Sequence, residues 1–154
     1  ITTARRRYAA AMDPMRRLRP FLLVTDTLFL AYWTVTALVA LKLLAVPEAW
    51  LFKDYHDPRV VAWNWSFLPL DLAFSLTGYG SLLLHRAGRA AWRPLALISL
   101  TLTFCAGLLA VSYWALLSEL DPLWFLPNLA LVLWPLLFVG PLVRSLAAPP
   151  QSAA

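Results

Sequence analysis

Four apolar runs constrain this chain more than any other feature. Residues 94–118 and 122–143 contain no Asp, Glu, Lys or Arg. Residues 60–84 carry one such charge, Asp71, and residues 20–46 carry two, Asp26 and Lys42. About 20 helical residues cross roughly 30 Å of hydrocarbon, so each run suffices for one crossing. Bilayer-spanning strands would need alternating stretches of about ten residues, and none occurs. The composition points the same way: 14% of residues are charged, against about 25% in soluble domains. The expected fold class is therefore all-α: a polytopic membrane protein built as an antiparallel four-transmembrane-helix bundle.

The connections at 85–93 and 118–121 are too short for anything but antiparallel neighbours. Arg5, Arg6, Arg7, Arg16, Arg17 and Arg19 precede the first span; Arg86, Arg89 and Arg93 follow the second, and Arg144 follows the fourth. The other side has only Lys53 and Arg59, with Lys42 near it, and it carries Glu48, Asp54, Asp57, Glu119 and Asp121. The positive-inside rule then places both termini in the cytoplasm. The domain reading is a basic N-terminal segment over 1–19, a membrane domain over 20–144 and a disordered tail over 145–154. The first span exceeds the 7–15-residue apolar core of a cleavable signal, and no small-residue cleavage site follows it.

Several functions are excluded by what the chain lacks. One cysteine, Cys105, rules out a paired-cysteine oxidoreductase, and it reads as a packing residue. His56 and His85 both sit at the edges of apolar runs, so haem ligation inside the bilayer is not expected. No phosphate-binding loop, dinucleotide fingerprint or HExxH pattern occurs. The net charge of +5 comes from arginines flanking apolar runs, which serve orientation rather than nucleic-acid binding. No metal and no cofactor are expected, and membrane lipid is an expected partner.

Ionisable groups inside hydrocarbon are costly and need a reason. Asp71 lies about 16 Å into the second span, near the midplane. Asn64, Asp71 and Gly78 are seven apart and nearly superimpose on a helical wheel, with Ser75 beside them. This polar stripe must face other helices or a cavity, and Pro69 frees a backbone carbonyl nearby. Asp26, about 9 Å from the cytoplasmic edge, would lie about 5 Å in depth from Asp71, where two carboxylates share protons. Asp71 then suits proton coupling or general acid–base work; its structural alternative is a hydrogen-bonded helix contact. On the fourth span, Asn128 follows Trp124 by one turn and Pro127 by one residue. An outer vestibule of Lys42, Asp54, His56 and Asp57 would lead down to Asp71, with Lys42 pairing with Asp54, Asp57 or Glu119. Trp50, Trp63, Trp65, Trp114 and Trp124 also fit an interfacial belt. On the third span Ser99, Thr103, Ala106, Ala110 and Tyr113 recur every three or four residues, a small-residue face for close packing.

The stretch KDYHDPRVVAWNWSFLPLDLAFSLTG, Lys53 to Gly78, resembles the YvaD-like family of small four-helix bacterial membrane proteins. That resemblance implies the architecture and a bacterial cytoplasmic-membrane location. A fainter similarity, carried by Asn128 and Trp134, is to the sterol-isomerase and sigma-2-receptor group of bundles with intramembrane acids. Three functions remain open. One is a pocket for a lipophilic small molecule, made by Asp71, Asn64, Asn128 and Asp26 and walled by Trp65, Trp33 and Trp134. The others are a proton-coupled transporter working as a homodimer and a non-catalytic subunit of a larger membrane complex.

Overall fold

The computed structural model describes residues 13–147. Helix α1 runs Pro14–Ala40, α2 Pro58–Ser66, α3 Leu68–Arg86, α4 Trp92–Leu116 and α5 Pro122–Ala147, with a single 3-10 turn at Glu48–Trp50. With α2 and α3 in line, four segments are long and apolar enough to cross a membrane. Among the described residues the fold is all-helical, a four-span bundle.

Local chemistry explains where the helices begin and end. Asp13 caps α1, accepting a hydrogen bond from the Met15 amide at 3.1 Å, and Pro14 occupies the first turn, where its missing N–H costs nothing. Arg16, Arg17 and Arg19 therefore belong to α1 instead of preceding it. The helix starts six residues earlier than the apolar run and stops at Ala40, where Lys42 turns the chain at φ 58°. The second run, expected as one helix over 60–84, breaks at Phe67. Pro69 has no N–H for the Trp65 carbonyl, and the Phe67 amide reaches Asn64 O at 3.1 Å in a tighter turn. Asp57 caps α2 by accepting from the Arg59 amide at 2.7 Å, and Asp121 accepts from the Leu123 amide at 2.9 Å at the start of α5. Helix α5 continues through Ala147, past the expected end of the span. The arginines at 5–7 and the tail from 148 onward lie outside the described residues.

Helix α4 packs on both α3 and α5, whereas α1 packs chiefly on α3 and touches α5 far less. Ser99, Thr103, Ala106 and Ala110 are buried along α4 as their spacing predicts. Gly107 completes that face: a Cβ there would stand 2.7 Å from Asn128 O and 2.7 Å from Leu131 Cβ, so the two backbones approach only because the residue is glycine. At the end where α1 begins and α5 finishes, Leu18, Leu22, Leu82, Trp92, Ala96, Leu100 and Leu142 form an apolar core. Phe21 of α1 stacks on Trp134 of α5 at 5.5 Å and meets Phe138 at 5.1 Å. These aromatic contacts bridge the α1–α5 seam at this end.

Candidate functional site

Toward the opposite end the seam opens into a cleft of about 390 Å³. Helix α1 contributes Leu28, Phe29, Tyr32 and Trp33; α2 contributes Trp63 and Asn64, and Asp71 comes from α3. Ala106, Ala110 and Trp114 of α4 form the back wall, facing Trp124, Asn128, Leu131 and Trp134 of α5. Leu28 and Leu123 line the cleft yet remain 63% and 69% exposed. They mark its mouth, which faces sideways, where a bilayer would place acyl chains. Phe52 and Lys53 of the connecting loop cover the top. Lys53 donates to Glu119 at 2.5 Å and lies 5.2 Å over the Trp114 ring, so its charge is already partnered.

The polar stripe of the second span faces inward as the wheel predicts: Asn64, Asp71, Ser75 and Gly78 are all buried. Two neighbouring residues of α1 hold its outer part. The Trp33 indole N–H donates to Asp71 Oδ2 at 2.9 Å, and the Tyr32 hydroxyl donates to Asn64 Oδ1 at 2.8 Å. Each polar side chain thereby keeps one atom unpartnered, Asp71 Oδ1 and Asn64 Nδ2, and Trp134 Nε1 is a third. A buried group left without a partner costs about 1–3 kcal/mol. All three belong to residues that line the cleft, with the unpartnered atoms enclosed just behind its mainly apolar wall.

Asp71, Asn64, Asn128, Trp33 and Trp134 all line the cleft. Asn128 gives its amide nitrogen to the Trp124 carbonyl at 2.7 Å. Trp65 stands behind Trp33, with ring centroids 5.4 Å apart, and is not on the wall. Asp26 is also off the cleft. It is fully enclosed against Gly78, and a Cβ at that glycine would overlap its carboxyl group. Gly78 is two helical turns beyond Asp71, which separates the two acids by about 10 Å along α3 instead of the 5 Å expected. The difference arises because the second segment, Pro58–Arg86, is longer than a crossing of roughly 30 Å, so Asp71 lies about 22 Å from its Arg86 end and not at the depth measured inward from Val60. No hydrogen bond joins the two carboxyls among the described residues.

The expected vestibule takes another form. Lys53, not Lys42, meets Glu119, and Lys42 makes no ion pair among the described residues. His56 lies against the Tyr55 ring at 3.9 Å, with Glu48 3.9 Å from its Nε2. Asp57 is spent on capping α2. The Glu119 hydrogen bond holds the Lys53 ammonium above the ordinary lysine range. Tyr55 is likewise raised, by Glu48 beside it. Among the described residues, no group of three His, Cys, Asp or Glu side chains comes close enough to bind a metal. Reading the residues as an interfacial belt hid the role of Trp63, Trp114 and Trp124. Their available signal was the i, i+4 pairing of Trp63 with Phe67 and the placement of Trp124 one turn from Asn128.

The model of a family of unknown function, DUF5360, matches residues 18–148. The chain belongs to this family. A relative described as uncharacterized protein YvaD, from Bacillus subtilis (strain 168), is 45% identical over 130 residues, covering 84% of this chain and 94% of the relative. No solved structure matches. The DUF5360 match begins at Leu18 and runs to residue 148, so it takes in every helix that builds the cleft.

Proposed function

We propose that the protein binds a lipophilic small molecule taken up from the membrane into the cleft around Asp71. The observation that carries this reading is the coincidence of an apolar chamber of about 390 Å³ with three unpartnered polar atoms. Ligand pockets of about 300–1,000 Å³ pair apolar walls with a few convergent polar groups in this way. Five tryptophans line the chamber, Trp33, Trp63, Trp114, Trp124 and Trp134, which suits the flat or branched body of a hydrocarbon guest. Rotation of the Asp71 and Asn64 side chains on entry of a guest would present Oδ1 and Nδ2 to a group that both donates and accepts. An anionic head is disfavoured, because Lys53, the cation on the lining, is taken by Glu119. The arginine distribution supports an orientation with both chain ends in the cytoplasm of a bacterium, so that the mouth opens in the outer leaflet.

The test uses protein in lipid nanodiscs titrated with 12-bromododecanol, whose bromine quenches tryptophan. Saturable quenching is expected, and Asp71→Leu should weaken it about tenfold, the worth of one lost hydrogen bond near 1.4 kcal/mol. Quenching that never saturates, or that is identical in Asp71→Leu, would refute the reading. Proton-coupled transport is the second reading, supported by a second enclosed acid, Asp26, beneath the cleft. The apolar core below Asp26 offers no path to the other side in this conformation.

A further inference from the structure

Four buried oxygens on one line have no partner among the described residues: Asp71 Oδ1, Ser75 Oγ, and Oδ1 and Oδ2 of Asp26. Positions 71, 75 and 78 share one face of α3, and the Asp26 carboxyl occupies the space that a side chain at position 78 would fill. The hydroxyls around this line are committed elsewhere. Ser99 Oγ donates to Phe74 O at 3.0 Å, Ser81 Oγ to Gly78 O at 2.7 Å and Thr103 Oγ1 to Ser99 O at 2.9 Å. Helical backbone carbonyls thus satisfy the neighbouring hydroxyls, while the three side chains in line are left open. Asp71 borders the cleft at one end. At the other end Leu22, Leu82, Ala96 and Leu100 seal the bundle.

The geometry points to a proton relay that runs from Asp71 through Ser75 to Asp26, with Asp26 as a blind inner terminus connected to the cleft alone. Positions 71, 75 and 78 are successively one turn apart, an axial rise of about 5 Å, which side-chain reach or one bridging water per step can span. In each transfer the Asp71 carboxylic acid gives up its proton and Ser75 accepts one while releasing its own. The Asp26 carboxylate becomes the acid, so only O–H bonds are made and broken and charge is conserved. The titratable groups on the elements packed around Asp26 are few. Tyr32 of α1 holds Asn64, Tyr79 of α3 shares a hydrogen bond with Thr27, and Cys105 of α4 is half-buried. Below the seal, His85 pairs with Asp13 at 3.0 Å and Arg93 lies over Trp92. None of these interrupts the line between Asp71 and Asp26.

Infrared spectroscopy of the full chain in nanodiscs, with no ligand added, tests the relay. Asp26→Asn should remove one carboxylic-acid C=O band. In wild type that band should shift on transfer to deuterated buffer, and Ser75→Ala and Asp71→Asn should each slow the shift about tenfold. Should Asp26→Asn fail to fold, carbon-13 aspartate labelling of wild type and of Ser75→Ala assigns the band instead. The relay is overturned by an Asp26 band that exchanges at the wild-type rate in both relay variants. It is also overturned by the absence of any Asp26 acid band, or by loss of that band on adding sodium, which would mark a cation site. Because no guest is present, failure to bind 12-bromododecanol leaves this result untouched, and the reverse also holds.

Discussion

Replacing Gly107 by Ala tests the closest helix contact and the wall of the cleft together. The new Cβ would lie 2.7 Å from Asn128 O, 2.7 Å from Leu131 Cβ and 3.0 Å from Leu131 C. Two of these three atoms belong to the α5 backbone, so no side-chain rotation relieves the overlap. Ordinary contact needs about 3.4 Å or more, so α5 must retreat by about 0.7 Å at this point. Overpacking of this kind costs about 1–3 kcal/mol, against a helix-propensity gain of up to about 1 kcal/mol for Ala over Gly. Gly140→Ala is the matched control, since nothing lies within 4 Å of a Cβ there and only the propensity gain remains. Equilibrium unfolding in mixed dodecyl maltoside–SDS micelles should therefore rank Gly140→Ala at or above wild type and Gly107→Ala about 1–2 kcal/mol below it. Equal stability of the two variants would refute the close α4–α5 approach. The same retreat shifts Asn128 and Leu131, so 12-bromododecanol quenching should weaken in Gly107→Ala and not in Gly140→Ala.

Gly78→Ala should be destabilising because its Cβ invades the Asp26 carboxyl and lies 3.1 Å from Ser99 Oγ. Adding Asp26→Ala should recover at least about 1 kcal/mol in a double-mutant cycle, the signature of direct contact. Trp33→Phe removes the donor to Asp71 Oδ2 and should cost about 1–3 kcal/mol in the same micelle assay; a neutral result would dissolve the Trp33–Asp71 bond as a structural element. Lys42 and Lys53 are the two lysines of the chain, and only Lys53 is held protonated by Glu119. Its raised folded value means the bridge persists at neutral pH and is lost as pH climbs past the ordinary lysine range near about 10.4. Amine acylation at about pH 9, read by mass spectrometry, should thus favour Lys42, and Glu119→Gln should erase the difference. Equal reactivity of both lysines in the unaltered chain would count against the bridge.

The inward stripe of Asn64, Asp71, Ser75 and Gly78 was legible because helical period and the cost of wet groups in hydrocarbon leave one solution. The small-residue face of α4 was legible for a similar reason. The level of Asp26 relative to Asp71 was not: it depends on how far the second segment runs beyond Asp71, and that segment, Pro58–Arg86, is longer than the hydrocarbon it crosses. Choosing Lys42 over Lys53 failed on chain direction, since the turn at φ 58° carries Lys42 away from Glu119. The opening between α1 and α5 left no trace in periodicity, because a gap between helices is a property of pairs. It follows from contacts such as Phe21 with Trp134, which join residues more than 100 positions apart in the chain.

Helix α1 holds on to the rest of the molecule mainly along one edge, and seventeen residues of connection, 41–57, join it to α2. It therefore stands as a single wall hung on α3, while the tightly meshed α4–α5 pair is the frame. The width of the chamber is then set by the angle of a single helix. If the cleft takes a lipophilic guest as proposed, changes confined to Leu28, Phe29 and Tyr32 would alter the girth it admits, with Asp71 and the tryptophan panel left as they are.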